Sequence, residues 1–347
     1  MARSGSLSVG ALSPKGFEMS DLTERDHQLL QRFEEIAVRE RAFREDFTHS
    51  IKGELTRYID NAISTAVRQH IPLSIPVDAQ VFIHTVDGHR LLLDMREKFM
   101  ALHLLEHRLW ESHIRFAMQI VLPLGGVYVD VGANIGVHAL YAANLVGVKG
   151  QVLAFEPHPL TQSICHQNLE INGLLDRVTL SDLALSDKHG QTVDFEYFPQ
   201  HPAMSGFKTC TDRQQKFHGT VERIQVQTTT LDEVVRTRLR RPDLVKIDVE
   251  GFEVLVLQGA RELLASSKDT CYLIEYEKQL TISVLGRDPI SEIYDLFASF
   301  GYRPIVVGND SRLVALSRDE LVTQAGGDYL FVHPASKHYG RINNVLS

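Results

Sequence analysis

The sequence predicts an α/β protein built on a mostly parallel, doubly wound sheet. Strand-like runs alternate with helical runs between residues 127 and 307, and this alternation is typical of parallel sheets that carry helices on both faces. The first unit of the pattern, VYVDVGANIGVHAL over 127–140, has the character of a strand, a glycine-containing turn and a helix. Charged residues then follow several strands at their carboxyl ends, where such a sheet has its ligand crevice.

The composition excludes several classes of protein. The chain has 347 residues and a net charge of −8, which gives no general attraction to nucleic acid or to an anionic membrane. Its three cysteines form no CxxC pair, and no signal peptide is recognisable, so we expect a cytoplasmic protein without stable membrane insertion. Sixteen histidines are scattered without the spacing of a zinc site, and we therefore expect no bound metal.

Three regions are expected before the sheet begins. Residues 1–20 are rich in serine and glycine, which predicts disorder. Residues 21–71 carry apolar side chains at steps of seven and then four, a pattern that predicts helices. This helical arm forms either a coiled coil that joins copies of the chain into a homo-oligomer or a cap on its own chain. Residues 72–96 are predicted to be a linker and a β-hairpin around Asp87-Gly88, a pair suited to a two-residue type I′ turn.

The elements of the main domain are expected from residue 97 onward. A helical stretch over 97–125 comes first, and its Trp110, the only tryptophan of the chain, either lines a pocket or packs in the core. The predicted strands are 127–131, 151–156, 178–185, 192–197, 224–228, 243–249, 270–276, 302–307 and 328–333. The predicted helices between them are 137–145, 160–172, 230–236, 252–265 and 289–300.

Polar groups at the ends of the first three strands predict an adenosine site. Glu156 ends the second strand, twenty residues after Gly136, and a carboxylate there can accept hydrogen bonds from both ribose hydroxyls. Asp182 and Ala184 offer a carboxylate and a backbone amide to an adenine ring. Taken singly, Glu156 could be a helix cap and Asp182 an ordinary turn residue. The turn itself contributes Asp130, Gly132, Asn134 and Gly136.

The fourth strand ends in KIDVEG, which brings three charged residues to the mouth of an apolar strand. Burying such charges costs several kcal/mol unless they are paired or used. A site that contains Lys246, Asp248 and Glu250 is therefore the favoured interpretation, and a structural ion pair between Lys246 and Asp248 is the alternative.

The glycine turn also indicates which adenosine ligand fits. It lacks the GKS or GKT of a P-loop and the G-x-G-x-x-G spacing of a dinucleotide site. Asp130, immediately before the turn, would repel a phosphate and favour a positive group. The amino group of S-adenosylmethionine meets that requirement.

Six segments of the chain together resemble the FkbM family of S-adenosylmethionine-dependent methyltransferases. They are DVGANIG (130–136), AFEPHP (154–159), NLEING (168–173), ALSDKHG (184–190), VKIDVEGFE (245–253) and GDYLFVHP (327–334). The resemblance covers roughly residues 97–334, which leaves 335–347 as a C-terminal tail. It implies a class I methyltransferase (Rossmann-like) fold with an antiparallel last strand. It also implies O-methylation of a small-molecule or glycan acceptor, with a saccharide hydroxyl as the first expectation and a polyketide or lipid hydroxyl as the second.

The resemblance assigns roles by position. Asp248 and Glu250 would face the transferred methyl group and the acceptor. An aliphatic hydroxyl must lose a proton during or after attack, and Asp248, Glu250 and Glu275 are candidates to accept it, with Lys246 as the partner of the favoured Asp248. Otherwise the proton leaves to water. The methionine part would be held by Asp130, Gly132, Asn134 and Gly136, the ribose by Glu156, and the adenine by Asp182 and Ala184.

Two other functions stay open at this point. One is an adenosine-dependent oxidoreductase, and the other is a catalytically idle domain that serves as an interaction module. The loop over residues 198–223 is where acceptor specificity could differ within the family.

Overall fold

The computed structural model describes residues 80–197, 206–207, 222–238 and 240–346. The predicted disordered terminus at 1–20, the helical arm at 21–71, the linker up to residue 79 and most of the 198–223 loop lie outside these residues. Within the described ranges, no helix combines the length and the apolar character needed to cross a membrane.

Strands and helices alternate along the described chain. The strands are β1 (Gln80–His84), β2 (Arg90–Asp94), β3 (Val127–Val131), β4 (Gln151–Phe155), β5 (Val178–Ser181), β6 (Ala184–Leu185), β7 (Thr192–Tyr197), β8 (Gly206–Phe207), β9 (Glu222–Thr229), β10 (Leu244–Ile247), β11 (Cys271–Glu277), β12 (Arg303–Val307), β13 (Leu313–Ala315) and β14 (Gly326–Val332). The helices are α1 (Lys98–His107), α2 (Ser112–Val121), α3 (Val137–Val146), α4 (Pro159–Ile171), α5 (Leu231–Arg238), α6 (Glu253–Gln258), α7 (Arg261–Ser266), α8 (Lys278–Leu285), α9 (Ile290–Ser299), α10 (Arg318–Thr323) and α11 (Tyr339–Asn343).

Eight strands form the central sheet in the order β13-β12-β14-β11-β10-β3-β4-β5. The five strands from β11 to β5 are parallel, whereas β14 runs antiparallel to both β11 and β12. This topology confirms the predicted mostly parallel sheet with an antiparallel last strand. Apolar side chains cover both faces: Tyr128 of β3 packs in one core, and Val129 and Val131 pack in the other.

The predicted strand over 178–185 is two strands that belong to different sheets. β5 pairs with β4 in the central sheet, but β6 pairs with β9 in a smaller sheet of order β6-β9-β7-β8. The chain leaves the central sheet at Ser181, whose carbonyl accepts a hydrogen bond from the Glu156 amide at 3.0 Å. Asp182 is consequently an exposed residue of the connection.

Two predicted helices are each broken into two. The stretch over 97–125 divides into α1 and α2 because Arg108 and Glu111 take left-handed backbone conformations, with φ of 55° and 44°. The stretch over 252–265 divides into α6 and α7 at Gly259. A Cβ at Gly259 would overlap the carbonyl oxygen of Ser186, so this glycine permits a close approach of the chain that follows β6.

The predicted β-hairpin is present as β1 and β2, but its turn differs from the prediction. Thr85 donates its amide to the carbonyl of His89 at 2.8 Å, so the loop encloses more than the two residues of a type I′ turn. A type I′ turn also needs positive φ at two residues, and in this loop only Gly88 has one. The type I′ prediction was therefore wrong.

The hairpin is held to helix α4 by asparagine side chains. Fully buried Asn168 accepts a hydrogen bond from the Leu92 amide at 2.6 Å and donates to the Leu92 carbonyl at 3.3 Å. It also donates to the Ile135 carbonyl at 2.9 Å, in the glycine turn after β3. One amide group thus joins the hairpin, α4 and the turn, and this gives the NLEING segment a structural function.

The chain beyond residue 334 packs on the same sheet. Ile342 of α11 is fully buried, and Arg341 donates to the Val121 carbonyl at 2.8 Å. Asp243 accepts from His338 at 3.0 Å and from the Val127 amide at 2.9 Å. Burial opposes the charge of Asp243, but these bonds outweigh it and hold the pKa of its carboxyl far below the usual range. This network ties the beginnings of β3 and β10 together, at the edge opposite the site.

Candidate active site

The glycine turn after β3 is held tightly against its neighbours. The amides of Gly132 and Ala133 both donate to the Phe155 carbonyl, at 3.1 and 2.9 Å. Gly132 has φ of +86°, and a Cβ there would overlap the carbonyl oxygen of Asp248 at the end of β10. Gly136 has φ of +89°, and a Cβ there would lie 2.8 Å from Cys165 Sγ. Both glycines are therefore required by the packing of the protein itself.

Glu156 closes the turn from the end of β4. Its two carboxylate oxygens accept hydrogen bonds from the amides of Asn134 (3.0 Å) and His158 (2.9 Å). The side chain is 8% exposed, and burial raises its pKa to about 7 in spite of these bonds. Each oxygen keeps a further lone pair for a ligand.

A cleft opens over this turn at the carboxyl ends of β3, β4 and β6. It encloses about 710 Å³, a volume that includes part of its open mouth. Gly132, Asn134 and Glu156 line one part of it, and Ala184 with apolar neighbours lines another. Among those neighbours are Leu183, Leu185, Phe195, Val249 and Phe252. This division into polar and apolar walls suits an adenosine-bearing ligand.

Three of the predicted cofactor residues do not line this cleft. Asp182 is exposed outside it, and Gly136 packs on Cys165. Asp130 is fully buried, and neither of its carboxylate oxygens has a hydrogen-bond partner among the described residues. Burial raises the pKa of Asp130, and the positive charge of Lys246 opposes that rise. Asp130 therefore presents no surface to the cleft.

A second chamber adjoins the cleft on the side of α1 and α2. It encloses about 870 Å³, again with part of the open mouth. Four residues line both spaces, namely Gly132, Asn134, Asp248 and Glu250. The chamber's own walls are formed by Phe99, Met100, Trp110, Glu111, Ala133, Val137, His138, Lys246 and Glu275. Trp110 thus lines a pocket and also packs against the core, so both interpretations open from the sequence apply.

The predicted catalytic residues meet in this second chamber. Lys246 Nζ lies 2.7 Å from Asp248 Oδ2, and Lys246 is 3% exposed. Burial opposes its charge, but Asp248 and neighbouring carboxylates outweigh burial and keep the pKa of Lys246 above its usual value. The negative charge of Asp248, together with burial, raises the pKa of Glu275 well above its usual range.

The chain reverses direction immediately after Asp248. Glu250 has φ of 55° and Gly251 has φ of 98°, both in the left-handed region. Glu253 holds this reversal, because one of its oxygens accepts from the Val249 amide at 3.2 Å and the Gly251 amide at 3.0 Å. Burial raises the pKa of Glu253 to about 7. The sequence prediction missed this residue, which sets the direction of Glu250.

The Glu111–His138 pair was also missed. His138 Nε2 lies 2.7 Å from Glu111 Oε2, and His138 is 6% exposed. Burial would raise the pKa of Glu111, but the hydrogen bond to His138 and the electrostatic effects of His138, Lys246 and His113 together outweigh burial and lower that pKa to about 2. The available signal was His138, a polar residue within the apolar run VHALYAA of α3. Glu111 gave no such signal in the sequence, because it lies at a break inside a stretch that was predicted to be one helix.

Across the described ranges, no three side chains of the His, Cys, Asp and Glu types are grouped so that they could hold a metal ion.

Comparisons with known proteins find methyltransferases. The profile of the "Methyltransferase FkbM domain" matches residues 130–304, half of the chain. A methyltransferase, sdnD, of Sordaria araneosa is 33% identical over 168 residues, which cover 41% of this chain and 62% of that protein. The hexuronic acid methyltransferase AglP of Haloferax volcanii is 32% identical over 139 residues, which cover 40% of this chain and 51% of that protein. The chain thus spans between half and two thirds of the length of these relatives.

Solved structures include a methyltransferase FkbM from Methylobacillus flagellatus. It is 16% identical, with a TM-score of 0.37, and the match covers 59% of this chain and 43% of that one. At this TM-score the likeness adds nothing to the topology described above.

Proposed function

The chain belongs to the FkbM methyltransferase family, and on that premise we propose that it transfers a methyl group from S-adenosylmethionine to a hydroxyl oxygen of a saccharide or glycan. One observation carries the proposal: the cleft and the chamber share Gly132, Asn134, Asp248 and Glu250. A ligand in the cleft and another in the chamber would therefore meet at the end of β10, as methyl transfer requires.

The residues of the cleft fit this cofactor. Glu156 accepts the ribose hydroxyls with the lone pairs that Asn134 and His158 leave unused. The apolar wall, with Leu183 and Phe252, covers the adenine, and the backbone of Ala184 meets its edge. Gly132 and Asn134 run beside the methionine part at the junction with the chamber. When bound, the cofactor supplies an activated methyl group on a positively charged sulfur.

The residues of the chamber then bind the acceptor and take up its proton. Asp248 is the proton acceptor we favour, because it lines both the cleft and the chamber, whereas Glu275 lines the chamber alone. Lys246 binds Asp248 Oδ2 at 2.7 Å, which leaves Oδ1 for the acceptor hydroxyl. Glu250, at the junction of the two spaces, orients the acceptor and helps to exclude water.

A saccharide is favoured as the acceptor by the composition of the chamber walls. Trp110 and Phe99 provide aromatic surface for the C–H face of a sugar ring. Glu111 and Asp248 provide carboxylate oxygens, which accept hydrogen bonds from hydroxyl groups. The printed name of the relative AglP, a hexuronic acid methyltransferase, agrees with this class of acceptor.

Transfer of a labelled methyl group tests the proposal. The full-length protein is incubated with methyl-labelled S-adenosylmethionine and a panel of saccharides, polyketides and lipids that carry free hydroxyls. We expect label on a saccharide, and a fall of about 10²-fold or more in kcat for Asp248→Asn. Exposed Glu170→Gln serves as the matched control and should keep the wild-type rate. Label on a polyketide or lipid alone, or full rates for both Asp248→Asn and Glu250→Gln, would contradict it.

A further inference from the structure

A third space, which we call the slot, adjoins both the cleft and the chamber. It encloses about 390 Å³, a volume that includes part of its open mouth. Its lining residues are Leu93, Asp94, Glu97, Met100, Ala101, Asn134, Ile135, Thr161, Ile164 and Tyr197. Met100 and Asn134 also line the chamber, and Asn134, Thr161 and Tyr197 also line the cleft. Asn134 is therefore the point at which the three spaces adjoin.

Half of the slot lining is apolar. Five of its side chains are at most 8% exposed and belong to one core cluster, namely Leu93, Met100, Ala101, Ile135 and Ile164. Such walls bind an apolar group because both surfaces leave water on contact. The slot therefore has the chemistry of a site for a hydrocarbon chain.

The two carboxylates of the slot hold its own wall in place. Glu97 accepts hydrogen bonds from the Met100 amide at 2.6 Å and from the Phe99 and Ala101 amides at 3.2 Å. Asp94 accepts from the Arg96 amide and from the Arg96 guanidinium, both at 2.9 Å. The bonds to Glu97 fix the first turn of α1, so the apolar walls are in position before a ligand binds.

Helix α1 leads from the chamber to the slot. Phe99 lines the chamber, Met100 lines both spaces and Ala101 lines the slot. The unbranched side chain of Met100 has three rotatable bonds, so it can adapt to a group that passes between them. Phe99 is 74% exposed, and Leu102, three residues further along the same helix face, is 54% exposed. A molecule in the chamber thus meets continuous apolar surface along α1.

We infer that the slot binds a hydrocarbon chain attached to the saccharide acceptor, so that the substrate is an amphiphilic glycoside and not a free sugar. The inference rests on the proposed function and narrows its acceptor class. The sugar lies in the chamber against Trp110, and the chain passes Met100 into the slot. The apolar part of the proposed cofactor, its adenine, has its own wall in the cleft at Leu183 and Phe252. The slot is therefore assigned to the acceptor.

Trp110 provides a reporter of binding. It is the only tryptophan of the chain and forms part of the chamber wall. Its ring packs edge to face with Phe99 of α1, at a centroid distance of 6.0 Å. Tryptophan fluorescence therefore responds to a sugar in the chamber, whether or not the bound molecule is methylated.

The experiment varies the length of the hydrocarbon chain on one sugar. Full-length protein is first titrated with S-adenosylhomocysteine by calorimetry. At saturation, Trp110 fluorescence is followed with methyl, butyl, hexyl and octyl glucosides below their micellar concentrations, and then with the corresponding mannosides and galactosides. Hexanol, which carries the chain without the sugar, is titrated as a competitor of the hexyl glycoside.

For the hexose that binds best, we expect affinity to rise about threefold with each methylene group until the chain fills the slot, and then to level off. The hexyl glycoside should bind at least about thirtyfold more tightly than the methyl glycoside. A chain that only adheres to exposed apolar surface would show no such limit of length.

Ala101→Leu tests whether the slot is responsible, because Ala101 lines the slot but neither the cleft nor the chamber. The larger side chain should reduce the preference for hexyl over methyl glycoside at least about tenfold and leave the affinities for methyl glycoside and S-adenosylhomocysteine unchanged. Ala335→Leu adds the same side chain at an exposed position and should leave that preference intact. If circular dichroism and Tm show that Ala101→Leu has lost its fold, Ile164→Val replaces it and should lower the preference about threefold.

The outcomes separate this inference from the proposed function. Absence of S-adenosylhomocysteine binding would contradict the methyltransferase proposal itself. If that ligand binds, no response to any glycoside, equal affinities for methyl and hexyl glycosides, or a preference that the slot variant leaves intact would overturn the inference. A folded Ala101→Leu that no longer binds S-adenosylhomocysteine would assign the slot to the cofactor and overturn it too. Hexanol that competes as strongly as the hexyl glycoside binds would support the slot and contradict a saccharide as the acceptor.

Discussion

At Gly132, the absence of one Cβ allows the ends of two neighbouring strands to meet. The hydrogen atom in its place faces the carbonyl oxygen of Asp248, so the glycine turn and the KIDVEG segment touch at this point. The resemblance predicted this glycine for the part of the site that would hold the methionine end of the cofactor. The structure adds a second reason, contact with the protein's own backbone, which local sequence cannot indicate because Asp248 is more than a hundred residues away.

Gly132→Ala should therefore lower the free energy of unfolding by more than the cost of placing an alanine in the left-handed backbone region. Gly190→Ala is the matched control, because Gly190 has φ of +73° but no atom within 4 Å of its added Cβ. An alanine in the left-handed region costs about 1–2 kcal/mol, and we expect Gly132→Ala to lose at least about 2 kcal/mol beyond Gly190→Ala. Urea denaturation measures both variants, and equal losses would show that the contact with Asp248 does not matter.

The loop between β10 and α6 shows how one side chain organises an element. Glu253 binds two amides of the reversal that carries Glu250 into the site. Its pKa is raised from 4.5 to about 7 by burial, so the folded protein binds this proton more tightly than the unfolded chain does. The contribution of Glu253 to the free energy of unfolding is therefore fully present below about pH 4.5, and it is lost as the pH rises through about 7.

Glu253→Gln should remove that loss. Glutamine keeps one oxygen for the two amides but does not ionise, so the variant's stability relative to wild type should improve by up to about 3 kcal/mol between pH 5 and pH 8. Denaturant unfolding at both pH values measures the change. Exposed Glu262→Gln, in the first turn of α7, is the control and should show no such trend. If the difference in free energy of unfolding between Glu253→Gln and the wild type does not change with pH, the pH trend does not come from Glu253.

Elements whose ends depend on distant partners could not be predicted accurately. Alternation and hydrophobic runs located β3, β4 and α3 to within about one residue, because their residues are buried in a regular pattern. The run over 178–185 has equally strong strand character, yet β6 turns away to pair with β9. The helix over 252–265 is broken at Gly259 by a contact with Ser186. Neither partner lies close enough in sequence to affect the local pattern.

At the scale of the whole molecule, the two halves of the site differ in how they could be predicted. The cofactor cleft follows from strand order, because consecutive parallel strands bring their carboxyl ends to one edge. The sequence accordingly predicted Glu156, Asn134 and Ala184 as cofactor residues, and all three line the cleft in which we propose that the cofactor binds. The chamber draws residues from α1, the turn before α2, α3, β10 and β11, so the Glu111–His138 pair could be found only once the chain was folded.

Calorimetric titration with S-adenosylhomocysteine tests the central claim, that the cleft over the glycine turn is a site for S-adenosylmethionine. The full-length protein should bind one equivalent with a dissociation constant below about 100 μM and should not bind NAD⁺. Glu156→Gln should weaken binding at least tenfold, by roughly the energy of one hydrogen bond to a charged group, and exposed Glu170→Gln should not. No binding to the wild type, or equal affinities for wild type and Glu156→Gln, would contradict the account.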